Sequence, residues 1–471
     1  MFEHALTRRR FLQLSGTTLA TTLLPGIAPR AEAARRLSPA PAEVYLVGNP
    51  YPVTPVWAYD SQVPGPLLRY RQGDTLKVTL DNRLPEATTV HWHGLRLPNG
   101  MDGVPHLTQP PTASGETFEY EFTLPDAGTF WYHPHVNSSE QVGRGLHGVL
   151  IIEEPQPPAV DRELLWVLDD WRLTRQGAVR GDFGNVHDFT HAGRIGNTVT
   201  VNGRLPDTVA VRPGERLRLR LVNVANARIF SLNFEGHRPR VIALDGQPVT
   251  PFAPDNERVV LGPAMRADLI LDCTGEPGAR HRVVDDAYPR QAYRLLDLIY
   301  DSTRLRAAPL SDPVALPANP LPEPDLGNAS RHEFVFTGGA MGGMRGAMMG
   351  GQHRGMRELV GQGKAWAING VVPEDYSREP LLRLDRGEST IFTLDNRTAF
   401  EHPMHLHGYH FRVLSRDARP APRPVWRDTV LVSPRERVEI AFRADNPGDW
   451  MFHCHTLEHQ MAGLMGFIRV A

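Results

Sequence analysis

A stretch of about fifteen residues occurs three times in this chain, and a threefold internal repeat restricts the fold more than any other feature. Leu67 to Asn82 reads as a strand, a turn at Gln72-Gly73-Asp74, and a strand ending Leu80-Asp81-Asn82. Val209 to Asn223 repeats it, with Pro213-Gly214-Glu215 at the turn and Leu221-Val222-Asn223 at the end. Leu382 to Asn396 repeats it again, with Arg386-Gly387-Glu388 and Leu394-Asp395-Asn396. A similar lead-in precedes each copy: Asp60-Ser61-Gln62-Val63-Pro64, Asn202-Gly203-Arg204-Leu205-Pro206 and Asn369-Gly370-Val371-Val372-Pro373. Runs such as Thr75-Leu76-Lys77-Val78-Thr79-Leu80 alternate in the strand period. Three consecutive antiparallel β-sandwich domains in an all-β chain are the economical reading. Their expected extents are 40–155, 156–310 and 325–471, with the Pro-rich segment from Ala307 to Pro324 as the connector to the third. The 42 Gly and 42 Pro fit many short strands joined by turns.

Residues 1–33 read as an export signal. Thr7-Arg8-Arg9-Arg10-Phe11-Leu12 has the twin-arginine pattern, an apolar stretch runs from Leu14 to Ile27, and Ala31-Glu32-Ala33 offers a small-x-small cleavage site. The expected partner at this stage is the twin-arginine translocation machinery, and the expected location is the periplasm. A net charge of -2 gives no reason to expect nucleic acid, and no other stretch is long and apolar enough for stable membrane insertion. A monomer is expected. With two cysteines, Cys273 and Cys454, no disulfide framework supports the fold.

The repeats differ in one informative respect. After the terminal Asn, the first copy carries His91-Trp92-His93 and the third His402-Pro403-Met404-His405-Leu406-His407. The middle copy has Arg228-Ile229-Phe230-Ser231-Leu232 and no histidine, which makes it a spacer in this reading. Two further clusters are His133-Pro134-His135 and His453-Cys454-His455 with His459, so the four clusters hold ten of the 20 histidines. Residues two apart on a strand project from one face, so each His-x-His pair can aim two imidazoles at one metal cluster. Cys454 points away from its flanking histidines. A thiolate with two imidazoles is the blue-copper donor set, and His402 and His459 are the available partners. Zinc fits poorly, since the remaining eight histidines come with no carboxylate or second cysteine ligand.

These motifs resemble those of the multicopper oxidases. His91-Trp92-His93-Gly94, Trp131-Tyr132-His133-Pro134-His135, the His402 cluster and the His453-Cys454-His455 run with His459 match the four copper motifs, and the likeness covers essentially the whole chain after the signal. The resemblance implies three cupredoxin-like Greek-key domains and four coppers. His402, Cys454 and His459 would bind the type 1 ion, and His91 and His405 the type 2 ion. His93, His133, His135, His407, His453 and His455 would bind the type 3 pair. Cys454 would carry electrons to the cluster, where O2 is reduced to water, and Asp102 matches a carboxylate near that cluster in similar oxidases. The position ten past the cysteine, a methionine in many bacterial relatives, is Leu464, which implies a three-coordinate type 1 site unless Met465 turns inward. Gln460 replaces a carboxylate of similar copper-efflux oxidases.

Residues 338–356 carry Met341, Met344, Met348, Met349, His353 and Met356 among glycines. Thioethers are soft donors suited to Cu(I), so cuprous ion is the expected substrate and copper tolerance the expected role. The competing reading is a laccase-like oxidase of phenols with these methionines as a lid. A non-enzymatic cupredoxin scaffold of the cell envelope is a remote third, since such scaffolds lack the copper ligands.

Overall fold

Each repeated stretch forms its two strands, and the turn between them carries the chain from one sheet of a sandwich to the other. The structure, a computed structural model, describes residues 35–311, 314–374 and 379–471. The expected export segment lies outside the described residues. Among these, Leu68–Arg71, Thr208–Val211 and Leu382–Leu384 lie in one sheet of each sandwich, and Thr75–Asp81, Arg216–Asn223 and Ser389–Asn396 in the other. In all three units the first strand pairs parallel with the last strand of its sheet, and the second pairs parallel with the strand that opens the unit. The remaining strands run mainly antiparallel, as a Greek-key sandwich requires. The first unit opens with the strand Arg35–Leu37, ahead of the boundary expected at 40. No helix among the described residues is long and apolar enough to cross a membrane.

The Asn that closes each repeat explains why the repeat persists. Asn82 donates through Nδ2 to Glu86 O and Thr112 O and accepts from Leu84 N. Asn223 does the same with Arg228 O, Leu261 O and Ala225 N, and Asn396 with Phe400 O, Val432 O and Thr398 N. All three are fully buried. A side-chain amide both donates twice and accepts; an aspartate could only accept and would lose both donated bonds.

The first and third sandwiches share one apolar core, with Trp92, Tyr120 and Tyr132 from the first joined to Phe334, Met404 and Trp450 from the third. The middle sandwich has its own, built on Leu219, Phe230, Leu269 and Leu298. Its strand Arg216–Asn223 is buried on both faces. The leucines fill the core, while Arg218 and Arg220 reach toward the first sandwich. Arg218 pairs with both oxygens of Glu154 at 3.0 and 2.6 Å and with Asp268. Arg220 bonds Thr129 Oγ1 and Asp268. Burial alone would raise the Asp268 carboxyl, but Arg220 and Arg218 outweigh it and hold it below the ordinary range.

One further arginine of the middle sandwich joins all three units. Arg266 is fully buried, donates through Nε to Thr129 O of the first sandwich, and grips Asp428 of the third with both Nη atoms at 2.9 and 2.6 Å. Replacing it by methionine leaves a buried carboxylate without its counter-ion, which costs about 3–5 kcal/mol. Arg266→Met is therefore expected to unfold at clearly lower denaturant concentration, and Arg266→Met/Asp428→Asn to recover part of the loss. An unchanged midpoint in the single variant would show that the pair contributes little.

Candidate metal centre

The histidine clusters are brought together by two pairs of adjacent strands. In the first sandwich His91–His93 lies antiparallel to Gly128–His133, with His91 opposite His133. In the third, His402–Leu406 lies antiparallel to Gly448–Cys454, with His405 opposite His453 and Met404 opposite Cys454. The two histidine-bearing edges face each other across the shared core. Donor atoms fall within 4.8 Å of one another in the sets His93, His133, His455; His135, His407, His453; His91, His405, His407; and His402, Cys454, His459. The imidazole side of Cys454 and its thiolate side thus belong to different sets, as the alternation of an extended strand dictates.

Main-chain carbonyls and carboxylates fix which nitrogen six of these rings present. Nδ1–H of His91 donates to Asp102 O, of His405 to Asp428 O, of His453 to Cys454 O and of His133 to Pro134 O. A carbonyl only accepts, so in these rings Nε2 keeps the lone pair. His407 gives Nδ1–H to Asp102 Oδ2 at 2.8 Å. His93 is reversed: its Nε2 meets Asp428 Oδ1 and Thr429 Oγ1, so Nδ1 carries the lone pair. His91 Nε2, His405 Nε2 and His93 Nδ1 are buried acceptors without a hydrogen-bond partner. His407 Nε2 and His453 Nε2 face each other at 3.0 Å, and His133 Nε2 and His455 Nε2 at 3.4 Å. In the first pair both Nδ1–H groups are already donated, so two lone pairs meet in an apolar interior and repel unless a cation lies between them. The residues therefore fit bound metal ions, and outer carboxylates and carbonyls orient the ligands as metal sites require.

The thiolate set has the same design. Cys454 Sγ lies 3.5 Å from His402 Nδ1 and 3.8 Å from His459 Nδ1, and those two nitrogens are 3.2 Å apart. Thr398 Oγ1 gives its proton to Asn396 Oδ1, so it accepts from His402 Nε2–H at 2.8 Å. His459 Nε2–H donates to His191 O. Both rings thus direct Nδ1 lone pairs at the sulfur side. Burial holds the imidazoles of His402 and His405 well below their ordinary range and takes His453 and His459 down to about 3. Burial also pushes the Cys454 thiol up to about 12. Neutral imidazoles are ready to ligate, and the thiol releases its proton when a cation binds the sulfur.

Two glycines make room for this arrangement. Gly94, at φ +84°, follows His93, and a Cβ there would lie 2.4 Å from Arg266 Nη2 and from Asp428 Oδ2. Gly103, at φ +82°, would press a Cβ to 1.9 Å from Val90 O, displacing the turn that seats Asp102. Asp102 is both the turn residue before glycine and the partner of His91 and His407.

Leu464 packs in the same apolar cluster as Cys454, whereas Met465 packs separately with Val104 and Met451. Gln460 touches Ser138 Oγ at 3.2 Å and His135 Nδ1 at 3.4 Å, an orienting contact in place of an acid.

The methionine-rich segment is ordered rather than a loop: Gly346–Met349 and Gln352–Gly355 form a hairpin followed by the helix Met356–Gly361. Its six soft donors separate. Met349 is buried with Ala347, Leu359, Ala367 and Val372, and Met344 packs on that cluster. Met356 packs on the main core. Met341, Met348 and His353 are exposed. The strand after the helix brings Trp366 to 4.3 Å from the His459 ring. Sequence reasoning missed Asp428, Arg266, Thr398, His191 and Trp366. None lies in a histidine cluster, and no spacing in the sequence marks them. The middle sandwich, read as a spacer, supplies Arg266 and His191 to the two sites.

Three family models, each described as multicopper oxidase, match residues 44–157, 162–279 and 354–471 in turn. The chain is 32% identical over 466 residues to multicopper oxidase MmcO of Mycobacterium tuberculosis, covering 91% of this chain and 85% of that one. It is 27% identical to a copper resistance protein A homolog of Pseudomonas syringae pv. tomato, covering 87% of this chain and 88% of that one. A crystal structure of a multi-copper oxidase from Pseudomonas thermotolerans superimposes with a TM-score of 0.82 at 39% identity, over 93% of this chain and 99% of that one. With its three cupredoxin-like sandwiches, its family match and its sets of imidazole and thiolate donors, this chain belongs to the multicopper oxidases, copper-dependent oxidoreductases.

Proposed function

We propose that His402, Cys454 and His459 hold a type 1 copper and the other eight histidines a trinuclear cluster. In this reading His91 and His405 hold the type 2 ion, and the sets His93, His133, His455 and His135, His407, His453 each hold one ion of the type 3 pair. The observation that carries it is the separation of donors into one thiolate-containing set and one all-imidazole group, joined by the single run His453-Cys454-His455. Copper bound there supplies one-electron uptake at the single site and four-electron reduction of O2 at the other. The chain does the rest. The sulfur of Cys454 and the peptides on either side link the two sites covalently. Asp102 and Asp428 lock His91, His407, His93 and His405 in their ligating tautomers. Asp102 Oδ1 is the carboxylate oxygen placed to hold a proton beside the cluster, and the surrounding apolar core excludes bulk water.

The substrate in this reading is cuprous ion. Met341 and Met348 are exposed thioethers on the segment that leads directly into Trp366, against His459. The similarity to a protein named for copper resistance supports a role in copper tolerance, and the twin-arginine segment supports work in the periplasm.

Three experiments test this account. Cys454→Ser is expected to abolish the intense blue absorption and nearly all oxidase activity. His93→Ala or His455→Ala should keep the blue colour but leave it bleached in air after reduction; normal reoxidation would mean that the O2 site is wrongly assigned. Met341→Leu/Met348→Leu should lower kcat/KM for cuprous ion several-fold more than for a phenol. Equal loss for both donors would indicate a purely structural segment.

A further inference from the structure

The outer nitrogen of the type 1 histidine does not reach solvent. His459 is fully buried, and its Nε2–H is capped by the carbonyl of His191, from the middle sandwich. His402 is closed in the same way by Thr398. An electron that arrives at this edge of His459 therefore passes through residue 191.

His191 caps the short helix Val186–Thr190, and His187 precedes it by one helical turn. Their rings stack at 4.3 Å with planes 8° apart, and the His187 side chain is 78% exposed. Thr190 Oγ1 gives its proton to Val186 O at 2.7 Å, so it accepts from His191 Nδ1–H at 2.9 Å. His187 O lies 3.1 Å from the same nitrogen. The lone pair of His191 is therefore on Nε2, the ring atom left for a ligand. Stacked face to face, the two rings hold their lone pairs parallel; a shared metal ion requires one ring to turn edge-on, and the exposed His187 side chain has room to do so. A soft donor lies on the neighbouring segment: Ala340 N donates to Thr190 O at 2.6 Å, and the next residue, Met341, is exposed at φ 63°.

We propose that His187 and His191, with Met341 on the neighbouring segment, form the port where cuprous ion docks and gives up its electron, which passes along the covalent frame of His191 to its carbonyl and across one hydrogen bond to His459. The proposal rests on the reading of cuprous ion as substrate and names the groups that receive it. Each docked ion loses one electron and leaves as cupric ion. Four such ions supply the four electrons that, with four protons, convert one O2 to two waters. Imidazole binds both oxidation states of copper, whereas thioether favours the reduced one, so a mixed port admits the substrate without excluding its product.

The test uses the copper-loaded enzyme, with the blue band as the check on folding. Ag(I), a redox-inert ion of the same charge and softness, should bind the wild type and compete with cuprous ion. In His187→Gln/His191→Gln both the KM for cuprous ion and the Ag(I) dissociation constant should rise about tenfold or more. His187→Met, which keeps a soft donor, should restore most of the affinity that His187→Gln loses. Wild-type KM and Ag(I) affinity in the double variant would overturn the port. So would a methionine variant no better than glutamine, since that outcome points to a structural imidazole. A wild type that oxidises no cuprous ion would overturn the substrate reading and the port with it.

Discussion

Asp428 is the carboxylate on which the rest of the arrangement depends. It is fully buried, and both its oxygens are held by Arg266 of the middle sandwich. Oδ1 also meets His93 Nε2 of the first sandwich, while its main-chain oxygen takes Nδ1–H of His405 in the third. One residue therefore sets the tautomers of two histidines on opposite sides of the interface. A buried carboxylate is tolerable only with a counter-ion held in place, so the orientation of those rings depends on how the three sandwiches assemble. Gly94 leaves the space in which the ion pair sits.

The same logic recurs at the smaller site. His402 and His459 each spend one nitrogen on an acceptor, Thr398 Oγ1 and His191 O, and thereby direct the other at Cys454. Among the described residues, metal-binding geometry is thus built from outside inward, by carbonyls and hydroxyls that decide where each proton resides. The first and third sandwiches contribute the imidazole and thiolate donors and share one core. The middle sandwich adds charge and capping: Arg266 at one site, the His191 carbonyl at the other, and Arg218 and Arg220 against the first sandwich.

Much of this was legible in the sequence. The closing residues Asn82, Asn223 and Asn396 mark the three sandwiches because each does the same hydrogen-bonding work, and that work tolerates few substitutes. The histidine clusters were legible because a metal site concentrates one residue type at strand spacing. The supporting residues were not. Arg266 lies in an alternating strand like many others, and Asp428 is one acid among many; their meaning arises only when strands distant in sequence meet. The methionine-rich segment misled in a different way. Composition suggested a segment of soft donors for Cu(I), but the hairpin buries Met349 and seats Met344 against the same small core, leaving Met341 and Met348 outside. Composition reports softness, while burial decides which sulfur atoms a solute can reach.

The central claim is that eleven side chains divide into one single-ion site and one three-ion site. Copper analysis of the purified protein combined with spin counting by electron paramagnetic resonance tests it most directly. The account requires about four coppers per chain, about two of them visible as one blue and one ordinary cupric signal and the others coupled and silent. A chain that binds only one or two coppers, or one whose full complement is visible, would contradict it.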